Sequence, residues 1–91
     1  MQKLTGAMIR ALFDHEAVFI GREDVVPDWR IAELFGADAL AFAQRMIPNG
    51  FNGYGIGDYT ELYGNIRGFQ IAATYHNIRI TRQERRAASA T

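Results

Sequence analysis

The chain has 91 residues, with ten basic and ten acidic side chains, a formal net charge of zero and 48% hydrophobic residues. That length suits one domain around one core, and the composition is that of a globular chain rather than a disordered or collagenous one. Neutral charge argues against nonspecific attraction to nucleic acid, and the absence of Cys excludes a disulfide framework, a thiol nucleophile and Cys-ligated zinc.

The longest apolar stretch, Ala39-Leu40-Ala41-Phe42-Ala43, is far shorter than the roughly 20 residues of a membrane span. The opening MQKLTGAMIR has no apolar run ahead of a cleavage site, so no secretory leader is expected. The expectation is a cytoplasmic protein with no membrane association.

Leu4, Ala7, Met8, Ala11 and Leu12 follow i, i+3, i+4, i+7, i+8 and predict an amphipathic helix over 3–14, weakened by Gly6. Ala17-Val18-Phe19-Ile20, closed by Gly21, reads as one short buried strand, and Gly21-Arg22-Glu23-Asp24 as a loop. A second helix is expected from Pro27 or Asp28, with Asp28 as N-cap, Ile31, Leu34 and Phe35 as its apolar stripe, and Gly36 as its stop. Asp38 opens a third, DALAFAQRMI, which Pro48-Asn49-Gly50 ends; its apolar middle predicts the most buried helix. Residues 49–58, NGFNGYGIGD, hold four Gly and read as a loop.

Residues 59–83 support two readings. Asp58 and Glu61 resemble a capping box, and Tyr59, Leu62, Ile66, Phe69, Ala73 and Ile80 have heptad-like spacing. Against a helix stand Gly64, Gly68 and the β-branched Ile71, Thr74, Ile78, Ile80 and Thr81. Phe69, Ile71, Ala73 and Tyr75 alternate with period 2. Tyr-x-Asn-Ile-Arg also occurs twice, at 63–67 and 75–79. Strands with corners at Gly64-Asn65 and His76-Asn77 explain that echo, whereas along a helix twelve residues rotate it by about 120°. The reading adopted is an antiparallel meander over 59–83, followed by a frayed tail or a short terminal helix at 84–91. The predicted fold is thus α+β: a helical half, 1–48, of two to three helices and one short strand, then the Gly-rich loop 49–58 and the C-terminal meander, all in one domain.

The charge is unevenly distributed. Residues 1–61 carry five basic and nine acidic side chains; residues 62–91 carry five Arg against Glu84 alone. On the meander reading Arg67 and Arg79 share a sheet face with Tyr63 and Tyr75, and Tyr and Arg are enriched at interface hot spots. Tyr54 and Tyr59 add aromatic anchors in a Gly-rich setting, a composition common to adaptable binding surfaces. The leading expectation is therefore a non-enzymatic binding module, a regulator or inhibitor docking on a protein or nucleoprotein through Tyr54, Tyr59, Tyr63, Arg67, Tyr75 and Arg79. Small mobile-element or phage proteins offer an analogy only.

An alternative places a helix-turn-helix at 28–47. Counting from Asp28, Ala32 is fifth and Gly36 ninth, with Ile31, Phe35 and Phe42 at the fourth, eighth and fifteenth positions, where such a unit needs a small residue, a turn and a shared core. Its second helix offers only Gln44 and Arg45 to a DNA groove, to which Arg82, Arg85 and Arg86 would add phosphate contacts. A third reading is a self-associating subunit, a homodimer joined along an exposed meander edge.

Reactive groupings are not visible. Asp14, His15 and Glu16 are adjacent and do not share a helix face, and neither His15 nor His76 has a partner at metal-ligand spacing. Glu23, Asp24 and Asp28 read as a solvated acidic loop. The repeat Gly53-x-Gly55-x-Gly57 lacks a following Lys-Ser/Thr for a phosphate loop. No cofactor and no metal are expected.

Overall fold

The computed structural model describes residues 2–22, 24–56 and 59–89, those of 54–56 and 59–61 as backbone alone. Glu23 and Asp58, read above as loop and cap, and the side chains of Tyr54, Tyr59 and Glu61 lie outside the described residues.

Helix α1, Gly6–Ile20, begins at Thr5, whose hydroxyl accepts the Met8 N–H at 3.2 Å. It runs through the segment read as a strand. Ile9, Phe13 and Ala17 recur every four residues on its buried face, and Gly21 caps the helix at φ 82°. The short strand of this half instead lies further on: β1, Val26–Pro27. Helix α2, Asp28–Phe35, and helix α3, Ala37–Met46, meet at Gly36, whose φ of 99° is a left-handed value that suits glycine. Only Ala39 and Ala43 of α3 are buried, so it is half exposed rather than the most buried helix.

A 3-10 turn, Pro48–Gly50, leads into strand β2, Phe51–Ile56, and strand β3, Tyr59–Gly64. The Gly-rich segment is thus mostly strand, not loop. The sheet is antiparallel in the order β1-β3-β2, with Gly64 opposite both Val26 and Phe51.

Only Tyr59–Gly64 of the expected meander is strand; helix α4, Ile66–Ser89, takes the place of the rest and runs on through the terminal segment. Asn65 starts it: the side-chain oxygen accepts the N–H groups of Arg67 and Gly68 at 3.0 and 3.1 Å. The heptad-like stripe outweighs β-branching because tertiary burial overrides propensity. Phe69, Ala72 and Ala73 are fully buried, while Ile71, Thr74, Ile78 and Thr81 stand on half-buried or exposed positions. Thr74 and Thr81 direct their hydroxyls back to the carbonyls of Gln70 and Asn77, satisfying them within the helix.

One core joins these elements. The ring of Phe69 meets Phe13 of α1 edge-on at 5.3 Å and Phe35 of α2 at 5.1 Å. Around them pack Ile9, Ala17, Val26, Ile31, Ala39, Ala43, Ala72 and Ala73. Among the described residues no helix is long and apolar enough to cross a membrane.

Candidate functional site

The two copies of Tyr-x-Asn-Ile-Arg have different structural roles. The first spans the junction of β3 and α4, where Tyr63 is 7% exposed, with the Arg22 guanidinium 5.3 Å above its ring. The second lies inside α4, where Asn77 accepts the Leu4 N–H at 2.9 Å and donates to the Leu4 carbonyl at 2.7 Å. Arg67 and Arg79 are twelve residues apart on one helix, about 120° around its axis, so the expected shared sheet face does not exist. Arg67 instead borders a depression at the start of α4, with Pro48, Asn49 and Asn65. Tyr54 and Tyr59 lie on the paired strands β2 and β3, their side chains outside the described residues.

Four of the remaining predicted residues, Gln44, Arg45, Tyr75 and Arg79, gather where α3 and α4 pack. Phe42 of α3 lies against Tyr75 of α4 at 4.9 Å between ring centroids. Near the start of α3, Asp38 is 3.9 Å from Arg79; at its far end, the Gly50 carbonyl accepts the Asn65 N–H at 2.8 Å, beside the start of α4. The two helices therefore run antiparallel. Between them lies an open depression of about 490 Å³ lined by Asp38, Ala41, Gln44, Arg45 and Tyr75. Gln44 and Arg45, the two polar side chains expected to read DNA, both belong to it.

Arg79 also reaches the α2–α3 turn: a Cβ placed on Gly36 would stand 3.5 Å from its guanidinium. Beyond Arg79 the helix continues with Arg82, Arg85 and Arg86, all exposed. At about 100° per residue, Tyr75, Arg79, Arg82 and Arg86 fall within about 60° of one another, a single stripe on the α3 side. Arg85 points further outward. Glu84, the one acidic residue of this stretch, pairs with Lys3 at 3.1 Å on the α1 side. The 75-79-82-86 spacing is the sequence signal for this stripe, and the strand reading of 59–83 concealed it.

Of the positions named for a helix-turn-helix, Ile31, Phe35 and Gly36 fall where such a unit needs them, while Phe42 is half-buried and outside the core. Gly36 is the turn, its N–H donating to Ala32 at 2.7 Å, while Ile31 and Phe35 are buried beneath it. The β2–β3 hairpin follows α3, and β1 secures it to the body. Among the described residues of the Gly-x-Gly-x-Gly repeat, Gly53 and Gly55 lie in strand β2, which is followed by strand β3 and not by the helix that a phosphate loop opens. Among the described residues no three His, Asp or Glu side chains gather as metal ligands.

Comparison of the chain with protein-family models, with curated proteins and with solved structures gave no match.

Proposed function

We propose that the protein binds duplex DNA, with α3 set towards the groove and the Arg stripe of α4 on the flanking phosphates. The order α1-β1-α2-α3-β2-β3, with β1 against β3, is that of a helix-turn-helix carrying a β-hairpin wing, a likeness of topology rather than of function. The observation that carries the reading is the seating of Arg79 against Gly36 and Asp38, which sets Arg79 beside the first turn of α3, with Arg82 and Arg86 continuing along α4 beyond it.

The chemistry of α3 sets the character of the binding. Gln44 and Arg45 are its only long polar donors, too few for extensive base readout. Arg79, Arg82 and Arg86 would supply phosphate contacts, which orient the duplex without reading sequence. Affinity on this reading is mainly electrostatic and specificity low. The protein would act in the cytoplasm, where DNA is accessible, and neutral total charge is compatible because the +4 of residues 62–91 is concentrated on one helix. The docking reading depended on a shared sheet face for Arg67 and Arg79, and the α3–α4 arrangement supports DNA binding better. Neither reading assigns a reaction.

Fluorescence anisotropy with a labelled duplex, titrated across salt concentrations, tests this. Binding should weaken steeply with salt, and Arg82→Ala with Arg86→Ala should reduce the logarithmic salt slope by about 2, one for each phosphate no longer neutralised. No binding at low salt, or a double variant with the parent slope, overturns the proposal.

A further inference from the structure

The outer face of α1 is apolar along its length. Met8, Val18 and Phe19 are 49%, 77% and 81% exposed, and Ala7, Ala11 and His15 stand exposed among them. At about 100° per residue these six form a stripe about 120° wide, opposite the buried Ile9, Phe13 and Glu16. The His15 and Phe19 rings stack at 6.5 Å, making a flat shelf at one end. α1 thus carries apolar side chains on two opposite faces, of which the single chain covers one.

We propose that this stripe is the seam of a symmetric dimer in which α1 packs antiparallel against α1 of a second copy. The charges that border it identify the occupant. Arg10 and Asp14, 3.4 Å apart, lie on the same flank of the stripe. In an antiparallel two-fold pair each flank meets its own counterpart, so Arg10 faces Asp14 of the second copy and Asp14 faces its Arg10. A parallel pair would set that charged flank against Met8 and Phe19. Side-chain size agrees with the antiparallel choice. Ala7 comes opposite Val18 of the second copy, small against large at both ends, while Phe19 comes opposite Met8 on the other flank.

The seam is modest. Fifteen residues give a helix about 22 Å long, which covers less than the roughly 800 Å² per partner of a standard interface. Association is accordingly reversible and concentration-dependent. It stands apart from the DNA reading, although a two-fold dimer would present two helix-turn-helix units to two half-sites.

Sedimentation equilibrium of the full chain over a wide concentration range tests the proposal, with thermal melts to verify folding. The unmodified protein should dimerise, and Val18→Lys should stay monomeric at the same concentrations with a native melt, because position 18 is exposed in the single chain. Arg10→Asp and Asp14→Arg should each weaken the dimer, roughly threefold to tenfold for small surface pairs. An equimolar mixture of these two variants should recover it, since each then supplies the charge the other lacks. A monomer at every concentration, or a dimer indifferent to Val18→Lys, overturns the proposal. A dimer that Val18→Lys breaks but that the charge variants and their mixture leave unchanged overturns the antiparallel arrangement.

Discussion

Glu16 holds Arg30 with both carboxylate oxygens, accepting from Nε at 2.8 Å and Nη2 at 2.9 Å. Glu16 is 4% exposed and belongs to α1, while Arg30 belongs to α2 and also reaches Glu33 at 3.1 Å, so the pair fixes these two helices against each other. The hydrogen bonds from Arg30 hold the Glu16 carboxyl below the usual carboxylate range, against burial, which raises it. Arg30 is correspondingly pushed up and stays charged at every working pH.

A depressed native pKa stabilises the fold above the unfolded value, about 4.3 for Glu, and that stability is lost as pH falls through the lower native value. Melting temperature should therefore drop as pH is taken from neutral down through this acid range. Glu16→Gln should cost about 1.5–3 kcal/mol at neutral pH, as for hydrogen bonds to a charged group, and should flatten the acid side of the profile. Urea titrations at neutral and acid pH measure both effects.

Gly68 and Gly6 are both helical, yet alanine is expected to act on them in opposite directions. A Cβ on Gly68 would stand 2.7 Å from the Phe51 ring and 2.9 Å from the Gly50 carbonyl, whereas one on Gly6 meets nothing within 4 Å. Gly6→Ala should stabilise by about 0.4–1 kcal/mol through the unfolded chain. Gly68→Ala should destabilise by about 1–3 kcal/mol, the usual cost of forcing packed groups apart. Chemical denaturation of the two variants side by side checks the difference in sign.

The echo asparagines should separate in the same way. Asn65→Ala removes an N-cap and should cost about 1 kcal/mol, raising hydrogen exchange at the Arg67 and Gly68 amides. Asn77→Ala removes both bonds to Leu4 and should cost about 1–3 kcal/mol, raising exchange at the Leu4 amide instead. Equal exchange patterns for the two variants would contradict these separate roles.

Truncation of Phe69, fully buried between Phe13 and Phe35, should cost about 3–5 kcal/mol. Phe42 is half-buried, with its ring against Tyr75, so Phe42→Ala should cost distinctly less in the same denaturation experiment. A comparable loss at both positions would mean that Phe42 belongs to the core.

The first half was legible in its helices and their stops, though not in the strand expected at 17–20, which continues α1, nor in the burial of α3. Gly36 between α2 and α3 and the Pro48-Asn49-Gly50 stop point the same way as the packing. Residues 3–14 are mostly helix as their spacing predicts, but the face is wrong: Ala7, Met8 and Ala11 of the expected stripe are exposed, and Ile9, Phe13 and Ala17 are buried instead. The second half was not, because its local chemistry conflicts with its tertiary setting. Gly68 reads as a helix breaker, but it is small so that Phe51 and Gly50 can approach. Ile71, Thr74 and Ile78 read as strand residues, but burial of Phe69, Ala72 and Ala73 outweighs their preference. Asn65 and Asn77 repeat in sequence although one ends a turn and the other ties down the N-terminal segment. The stripe of Arg79, Arg82 and Arg86 became readable only once these residues were known to be helical.

The position of Phe69 also bears on synthesis. Its ring closes the core against Phe13 and Phe35, yet it is added 34 residues after Phe35, and β1 likewise pairs with a strand made much later. At about 5–20 residues per second this delay is roughly 2–7 s, during which α1, α2 and α3 emerge with their apolar faces uncovered. Residues on those faces, Ile9 and Phe13 among them, are then open to holdase chaperones. The core around Phe69 cannot close before α4 arrives, so a ribosome that stalls within the hairpin should release a product for proteolysis rather than a smaller folded domain.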